Sequence, residues 1–365
     1  MRIKEIDYLR AFCAFSVIVI HVTAGYIDQE STAYVFNQIA RYAVPLFILL
    51  SGFGLGFSER KKNTTYLEFL KKRYNKILLP YFLWSIFYFV FSNRYRIGST
   101  DADVTELFSL FIKQLYTGTA YVHLYFLIIM IQLYLVFPVL QKWLIEKRYH
   151  TLVGSFFISL CMHAAIYLHA VGVIVLPSLG VPYVILSPVW VFYFVLGIYV
   201  SMERERFIRL TEKITFAQMT FVWLLTFVLL LLDSKYTNTF ASSTKPSTIL
   251  YTLSSLVFLF KGLRYVAYAR PKMSALFLWY STHSFFIYLI HPLIISWLVL
   301  AFPNHWRGTM GLLALIISTI LLSTLLTYLG SKFKRIHIVG GVYTGNVARL
   351  KPGEIKSGNH EALRL

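Results

Sequence analysis

The chain has 365 residues, of which 57% are hydrophobic and 14% charged, and its mean hydropathy is +0.63. This composition excludes a soluble globular domain, and apolar runs long enough to cross a bilayer recur along the chain. The formal net charge of +19 would suggest nucleic-acid binding only if the basic residues shared one accessible face, and here they lie between apolar runs. We therefore predict an all-α polytopic membrane protein that does not bind nucleic acid.

Ten apolar runs are candidate transmembrane helices. They cover residues 7–27, 40–58, 77–92, 121–139, 151–170, 182–202, 215–232, 247–260, 274–300 and 310–330. The run at 247–260 is the weakest, because it is short and contains hydroxyl side chains, so three readings stay open: it crosses fully, crosses half of the bilayer, or is buried in the bundle. We expect one membrane domain over 1–330 and a short, basic, loosely ordered cytoplasmic tail over 331–365.

The distribution of Lys and Arg predicts how these helices are oriented. If the spans alternate, 28 of the 35 basic residues fall on the side of the N-terminus and the other 7 on the opposite side. Cytoplasmic loops of membrane proteins carry the excess of Lys and Arg. We therefore expect the N-terminus and the C-terminus to be cytoplasmic.

The first apolar run contains two polar residues that are costly in a membrane helix, Arg10 and His21. They are eleven residues apart, which at about 100° per residue places both on one helix face, about 16 Å apart. We predict that they line one cavity, with Arg10 near the cytoplasm and His21 in the middle to outer half. In the alternative interpretation, Arg10 reaches lipid phosphates and His21 is a satisfied histidine inside the bundle.

Two further histidines are expected at a similar depth. His123 opens the fourth run from the outside, and His291 lies about 26 Å into the ninth run, before Pro292. No spacing such as H-x-x-x-H supports a metal site, so we expect no metal ion. A neutral imidazole can take a proton from an alcohol that attacks an acyl carbonyl, so these histidines are candidates for a base and positioning groups.

A cluster of basic residues lies in the predicted cytoplasmic loop between the second and third runs. Its members are Arg60, Lys61, Lys62, Lys71, Lys72, Arg73 and Lys76. The simplest interpretation is a topology signal that also binds anionic lipids, at about 1 kcal/mol per residue. The alternative is a cytoplasmic ligand rich in phosphate, such as coenzyme A, because phosphates suit clustered Lys and Arg.

The second run carries a G-x-x-x-G spacing at Gly52 and Gly56, which lets two helices approach closely. We expect these glycines to serve helix packing. The chain has no Walker A, G-x-S-x-G or H-E-x-x-H motif. ATP-driven transport and serine or zinc hydrolysis therefore have no support in the sequence.

Through the tenth run, the chain resembles the acyltransferase 3 family of bacterial integral-membrane O-acyltransferases. The resembling motifs are Arg10-x10-His21, Phe47-x-x-x-Ser51-Gly52-Phe53, Lys72-Arg73-x-x-Lys76-Ile77-x-x-Pro80, His123-Leu124-Tyr125-Phe126-Leu127 and Ser284-x-x-Ile287-Tyr288-x-x-His291-Pro292. The Arg-x10-His pair is the most specific of them. Lys76 and Ile48 depart from the family pattern, which usually has Arg and Phe there, and a lysine at 76 cannot make the bidentate phosphate contact of an arginine.

The resemblance implies an O-acyltransferase that takes an acyl group, acetyl ahead of succinyl, from cytoplasmic acyl-CoA to a hydroxyl of an extracytoplasmic glycan. His21 and Arg10 are then the catalytic pair, with His21 as the base or the acyl-transfer residue and Arg10 on the donor side. The residues expected to bind the acceptor and acyl group are Ser51, His123, Tyr288 and His291. The residues expected to bind the co-substrate acyl-CoA are Lys72, Arg73 and Lys76.

Stand-alone members of the family modify exopolysaccharide, including the intercellular-adhesion polysaccharide of Gram-positive bacteria, and this chain resembles them in size. We therefore expect a multi-pass protein of the bacterial plasma membrane that acts without a fused extracytoplasmic domain. The implied partners are membrane lipids, the glycan acceptor and polysaccharide biosynthesis or export proteins. The alternative function is a polysaccharide or small-molecule transporter without acyl transfer, which internal repeats would favour, and the sequence shows none.

Overall fold

The computed structural model of the protein describes residues 4–59, 65–99, 103–240, 242–269, 271–333 and 336–340. Across these ranges the regular structure is helical and contains no β-strand, which confirms the predicted all-α class. Ten helical segments in this part of the chain are long and apolar enough to cross a membrane. The number of spans therefore agrees with the number predicted from hydropathy.

Fifteen α-helices follow one another along the described parts of the chain, and the connection at residues 171–186 is the longest between two of them. They are α1 (Lys4–Ala24), α2 (Ser31–Ile39), α3 (Ala43–Glu59), α4 (Tyr66–Arg73), α5 (Leu79–Ile97), α6 (Val104–Thr117), α7 (Tyr125–Glu146), α8 (Arg148–Ala170), α9 (Ser187–Met202), α10 (Arg204–Lys213), α11 (Phe216–Tyr236), α12 (Pro246–Ala269), α13 (Pro271–Ala301), α14 (Gly308–Ser331) and α15 (Ile336–Gly340). A π-helical segment, Tyr74–Leu78, joins α4 to α5. The third span therefore contains a widened turn.

Several spans differ in their bounds from the hydropathy prediction. The third, predicted at 77–92, extends over Tyr66–Ile97, and the fourth, predicted at 121–139, covers Tyr125–Glu146. The second, predicted at 40–58, extends over Ser31–Glu59, and its helix is interrupted between α2 and α3. The eighth, left open at 247–260, is a helical segment over Pro246–Val266 that has 21 residues, long enough to cross fully. Its hydroxyl groups at Thr252 and Ser255 are buried in the bundle. The low hydropathy of this run therefore reflects side chains that face other helices.

Polar caps and one glycine set the starts and ends of the shorter helices. Thr65 and Glu68 form a reciprocal capping box at the start of α4, and Asp103 caps the first turn of α6. Gly118 ends α6 with a φ of 70°, where a Cβ atom would lie 2.7 Å from the backbone of Tyr125. This glycine lets the chain turn tightly into α7.

Helices α3 and α9 pack backbone against backbone. A Cβ atom at Gly52 would collide with the carbonyl of Phe194, and one at Gly197 would collide with the carbonyl of Leu49. A Cβ atom at Gly56 would also collide with α9. The packing role expected for the G-x-x-x-G spacing is therefore what the structure shows.

Helix α1 lies at the centre of the bundle, where it contacts α2, α3, α12, α13 and α14. Most of its side chains are buried. Because α1 carries the Arg10 and His21 pair, this position places both residues among other helices. The cytoplasmic location of the two termini stays a prediction from the basic residues.

The start of the predicted tail differs from the expectation of loose order. Helix α15 packs against α5, α13 and α14, and Trp84 Nε1 donates a hydrogen bond of 2.8 Å to the Val339 carbonyl. Gly340 lies against the Phe286 ring, where a Cβ atom would collide. Residues 341–365 lie outside the described residues, and the domain boundary at 330 stays a prediction.

Candidate functional site

Three histidines from different parts of the chain meet inside the bundle. His21 of α1 and His291 of α13 have ring centroids 5.1 Å apart, while His123, just before α7, lies 5.7 Å from His291 and 6.4 Å from His21. The structure thus brings together the histidines that the sequence placed at a similar depth. His123 and His291 are buried, whereas His21 is half-buried. Of the three residues, His21 is therefore the least buried.

The hydrogen bonds of His291 fix its tautomer. Its Nδ1 lies 3.1 Å from the Ile287 carbonyl oxygen, so Nδ1 carries a proton and donates it. In the neutral ring, Nε2 is then an acceptor, and it has no hydrogen-bond partner among the described residues. Among all the residues that the structure describes, no group of three or more His, Cys, Asp or Glu side chains could hold a metal ion. That the protein binds no metal stays an expectation.

A small cavity of about 20 Å³ lies at the histidine cluster. His21, His123 and Tyr125 supply its polar surface, and Val17 and Val44 are among its apolar walls. A cavity of this size has room for about one water molecule. A group that reaches His21 through it must therefore be small.

A larger cavity of about 130 Å³ is lined by Arg10, Ser51 and Tyr134. Arg10 Nη1 lies 3.6 Å from the Asp7 carboxylate, and its Nη2 donates a hydrogen bond of 3.5 Å to the Leu50 carbonyl. The Arg10 side chain is 30% exposed, so part of its charge is accessible to a ligand. Arg10 therefore lies in a different cavity from His21.

Three aromatic side chains, Phe47, Phe126 and Tyr288, line both cavities. We call this set the aromatic partition. The prediction that Arg10 and His21 line one cavity is therefore wrong in detail: they line two adjacent cavities that share these three side chains. Tyr288 is fixed in place by its hydroxyl, which donates a hydrogen bond to the His123 carbonyl.

Arg41 is a charged residue of the site that the sequence analysis missed. It was counted among the seven basic residues of the outer side, but it lies between α2 and α3 and is only 5% exposed. Its guanidinium donates a hydrogen bond to Asn37 Oδ1, and it is close enough to His21 to interact electrostatically. Its position one residue inside the predicted run 40–58 could have indicated its burial, because charged residues within spans face the bundle interior.

A chain of buried polar side chains connects Arg41 to the segment between α11 and α12. Asn37 Nδ2 donates to the Ile20 carbonyl at 3.1 Å, next to His21, and Gln38 Nε2 donates to Asn37 Oδ1 at 3.4 Å. Ser234 Oγ donates to Gln38 Oε1 at 2.9 Å, and Lys245 Nζ donates to Ser234. Burial lowers the pKa of Lys245 to about 8. This chain fixes the surroundings of His21 from the side opposite to Arg10.

Arg73 lies beside the larger cavity. Its guanidinium carbon is 5.2 Å from the ring centroid of Phe69 and 5.7 Å from that of Tyr134, and it forms an ion pair of 3.4 Å with Glu59. Because Tyr134 lines the larger cavity, the charge of Arg73 is near the wall that Arg10 shares. Arg10 and Arg73 are therefore both near the wall of the larger cavity to which Tyr134 belongs.

Of the other two residues predicted to bind acyl-CoA, Lys76 is not among the described residues that line the larger cavity. Lys76 is exposed in the π-helical segment, next to Ile77, which lines the larger cavity. Lys72 lies on α4, and its side chain is outside the described part of the structure. Residues 60–64, at the start of the basic cluster, are also outside the described residues.

Comparison with known proteins identifies the family. Residues 3–328 match the acyltransferase 3 family, described as an acyltransferase domain. Relatives from Staphylococcus aureus strains MRSA252 and MSSA476, each named probable poly-beta-1,6-N-acetyl-D-glucosamine export protein, are 26% and 25% identical over 329 residues, which is 85% of this chain and 87% of theirs. No solved structure gives a significant match. The chain therefore belongs to the acyltransferase 3 family of multi-pass membrane proteins.

Proposed function

We propose that the protein is a membrane O-acyltransferase that moves a short acyl group from cytoplasmic acyl-CoA to a hydroxyl of an extracytoplasmic glycan. One observation carries the proposal: Arg10 and His21, on one helix, line two adjacent cavities that share the aromatic partition. A donor held by a cation and an acceptor placed at a base are the two requirements of acyl transfer. The two cavities supply one requirement each.

In the proposed reaction, the donor thioester lies in the larger cavity with its acyl group directed toward His21. The acceptor hydroxyl attacks the carbonyl carbon while His21 takes its proton, so a C–O bond forms and the C–S bond breaks. The proton then passes from His21 to the leaving thiolate, which departs as coenzyme A. The products are the acylated glycan and the free thiol, and no further reactant is needed.

Cations on either side of the reacting carbonyl support this chemistry. Arg10 can donate hydrogen bonds to the thioester or to a phosphate of the donor. Arg41 holds buried positive charge on the His21 side, where negative charge develops on the carbonyl oxygen in the transition state. Arg73 and Lys76, near the larger cavity, suit the phosphates of coenzyme A.

The proposal is tested with purified protein in detergent, acetyl-CoA labelled in the acetyl group, and an oligosaccharide of β-1,6-linked N-acetylglucosamine. We expect label on the oligosaccharide that mild alkali releases, because an O-ester is labile there and an amide is not. The His21→Gln variant is the matched control for transfer that does not need the site. A folded protein that transfers no label from acetyl-CoA or from other short acyl-CoA donors to the oligosaccharide would contradict the proposal.

The names of the relatives favour a second candidate, export of poly-β-1,6-N-acetyl-D-glucosamine without acyl transfer. The cavities at Arg10 and at the histidine cluster, about 130 and 20 Å³, are smaller than the roughly 300–1,000 Å³ of sites that enclose drug-sized ligands, which argues against export through them. Proteoliposomes separate the two candidates. Release of enclosed labelled oligosaccharide without any acyl-CoA would favour export, and release that never occurs would leave acyl transfer as the function.

A further inference from the structure

The aromatic partition divides the route that the proposed reaction requires. Its three members come from α3, α7 and α13, and all of them line both cavities. Phe126 is the central member, since its ring centroid lies 6.2 Å from that of Phe47 and 5.5 Å from that of Tyr288. An acyl group that moves from the Arg10 cavity to His21 must pass these rings.

The members of the partition are held differently. Tyr288 is anchored through its hydroxyl to the His123 carbonyl and is buried. Phe47 and Phe126 are only partly buried, and a phenyl ring has no polar group with which to anchor it. The phenyl rings can therefore change rotamer at low cost while Tyr288 stays fixed, so Phe126 determines the width of the passage.

The volumes of the two cavities determine how long an acyl chain each of them can hold. The space beyond the partition is about 20 Å³, against about 130 Å³ on the Arg10 side. A methyl group attached to the reacting carbonyl needs about the space of one water molecule, and each added methylene needs more. The rings also disfavour a charged acyl group such as succinyl, because a carboxylate loses its hydration among apolar side chains.

We infer that the aromatic partition, through Phe126, is the specificity determinant of this transferase and restricts the donor to acyl groups that are short and uncharged. This inference rests on the proposed acyl transfer and names the donor class of the same site. The acceptor is not constrained by it. One added methylene in a tight apolar pocket reduces kcat/KM by about 10- to 200-fold, so the parent protein should prefer acetyl-CoA over butyryl-CoA by at least 100-fold.

The test compares kcat/KM for acetyl-, butyryl- and succinyl-CoA in the parent protein, in Phe126→Ala and in Met130→Ala. Met130 is the matched control, because it lies one turn along α7 and lines the larger cavity alone. We expect Phe126→Ala to lower the preference for acetyl over butyryl by at least tenfold and Met130→Ala to leave it unchanged. Phe126→Leu provides a milder change if the alanine variant does not fold.

The possible results separate this inference from the proposed function. If the parent transfers no acyl group, the proposed function fails. If the parent transfers acetyl but both Phe126 variants keep its preference, the partition does not select the donor and only the inference fails. Equal loss of preference in Met130→Ala would assign selection to the size of the donor cavity and would also overturn it.

Discussion

Replacing His21 with glutamine tests the centre of the proposed mechanism. Glutamine keeps similar bulk and hydrogen-bonding capacity but cannot carry a proton between the acceptor and the leaving thiolate. General-base catalysis contributes about a hundred- to ten-thousand-fold in rate, which corresponds to about 3–5 kcal/mol of barrier. We therefore expect His21→Gln to lose at least a hundredfold in kcat for transfer to the glycan.

The structure indicates that this loss is separable from folding. His21 is half-buried, and a substitution that conserves volume at such a site costs about 1 kcal/mol or less. Arg10, in the other cavity, keeps its contacts with Asp7 and Leu50. Thermal stability and binding of acetyl-CoA should therefore change little in the variant, as measured by a melting curve and by equilibrium binding of labelled donor.

His163→Gln is the matched control, because His163 is a buried histidine of α8 that packs against Trp190 and Tyr193, outside the histidine cluster. It should leave kcat within about threefold of the parent. Activity of His21→Gln within tenfold of the parent would refute the assignment of the base. The base would then be sought at His291, whose Nε2 is an acceptor in the neutral ring, or at His123.

Four other predictions concern the membrane topology, Arg10, Arg73 and Lys245. A cysteine at Ser99 should react with an impermeant thiol reagent in intact cells whereas one at Asn63 should not, in a chain freed of its exposed cysteine, and labelling at Asn63 would contradict the topology. Arg10→Lys keeps the charge but loses the planar fork, so kcat/KM for acetyl-CoA should fall at least tenfold, and a variant of normal activity would make Arg10 a lipid or topology anchor. Arg73→Gln should raise KM for acyl-CoA and leave the acceptor kinetics unchanged, and a lower protein yield with normal kinetics would favour a role in insertion alone. Burial lowers the pKa of Lys245 from 10.5 to about 8, so between these pH values the side chain binds a proton in the unfolded chain but not in the folded one. The free energy of unfolding should therefore rise with pH across that window, by up to about 3 kcal/mol. Lys245→Met should abolish this rise in pH-dependent melting curves.

Helix periodicity and the free-energy cost of polar groups in the membrane were enough to select the residues of the candidate site, whose roles stay predictions. An eleven-residue separation fixes Arg10 and His21 on one face whatever the rest of the bundle does, since helix geometry is local. The meeting of His21, His123 and His291 followed from their depth along spans of alternating direction. Hydropathy therefore located them along the membrane normal, which is one of three coordinates.

The remaining features depend on packing between helices, which the sequence does not encode in a local pattern. Arg41 resembles a loop charge when basic residues are counted, because its burial depends on Asn37 and on α1 beside it. The partition between the cavities requires Phe47, Phe126 and Tyr288 to converge from three helices. Each of these aromatic residues is ordinary in its own span, so only the assembled bundle reveals that they line both cavities.

The backbone contact between α3 and α9 has a consequence for how a large acceptor reaches the site. Helices that meet at glycines leave no side-chain layer that could reorganise, so the pair moves as one body. Because α3 carries Phe47, which lines both cavities, the backbone on that side of them belongs to this rigid pair. On the opposite wall, Phe126 of α7 and Tyr288 of α13 contact each other through their rings. On the proposed function, a glycan acceptor would therefore be admitted by displacement of the Phe126 ring, because the hydrogen bond from Tyr288 to the His123 carbonyl holds α13 to the segment before α7.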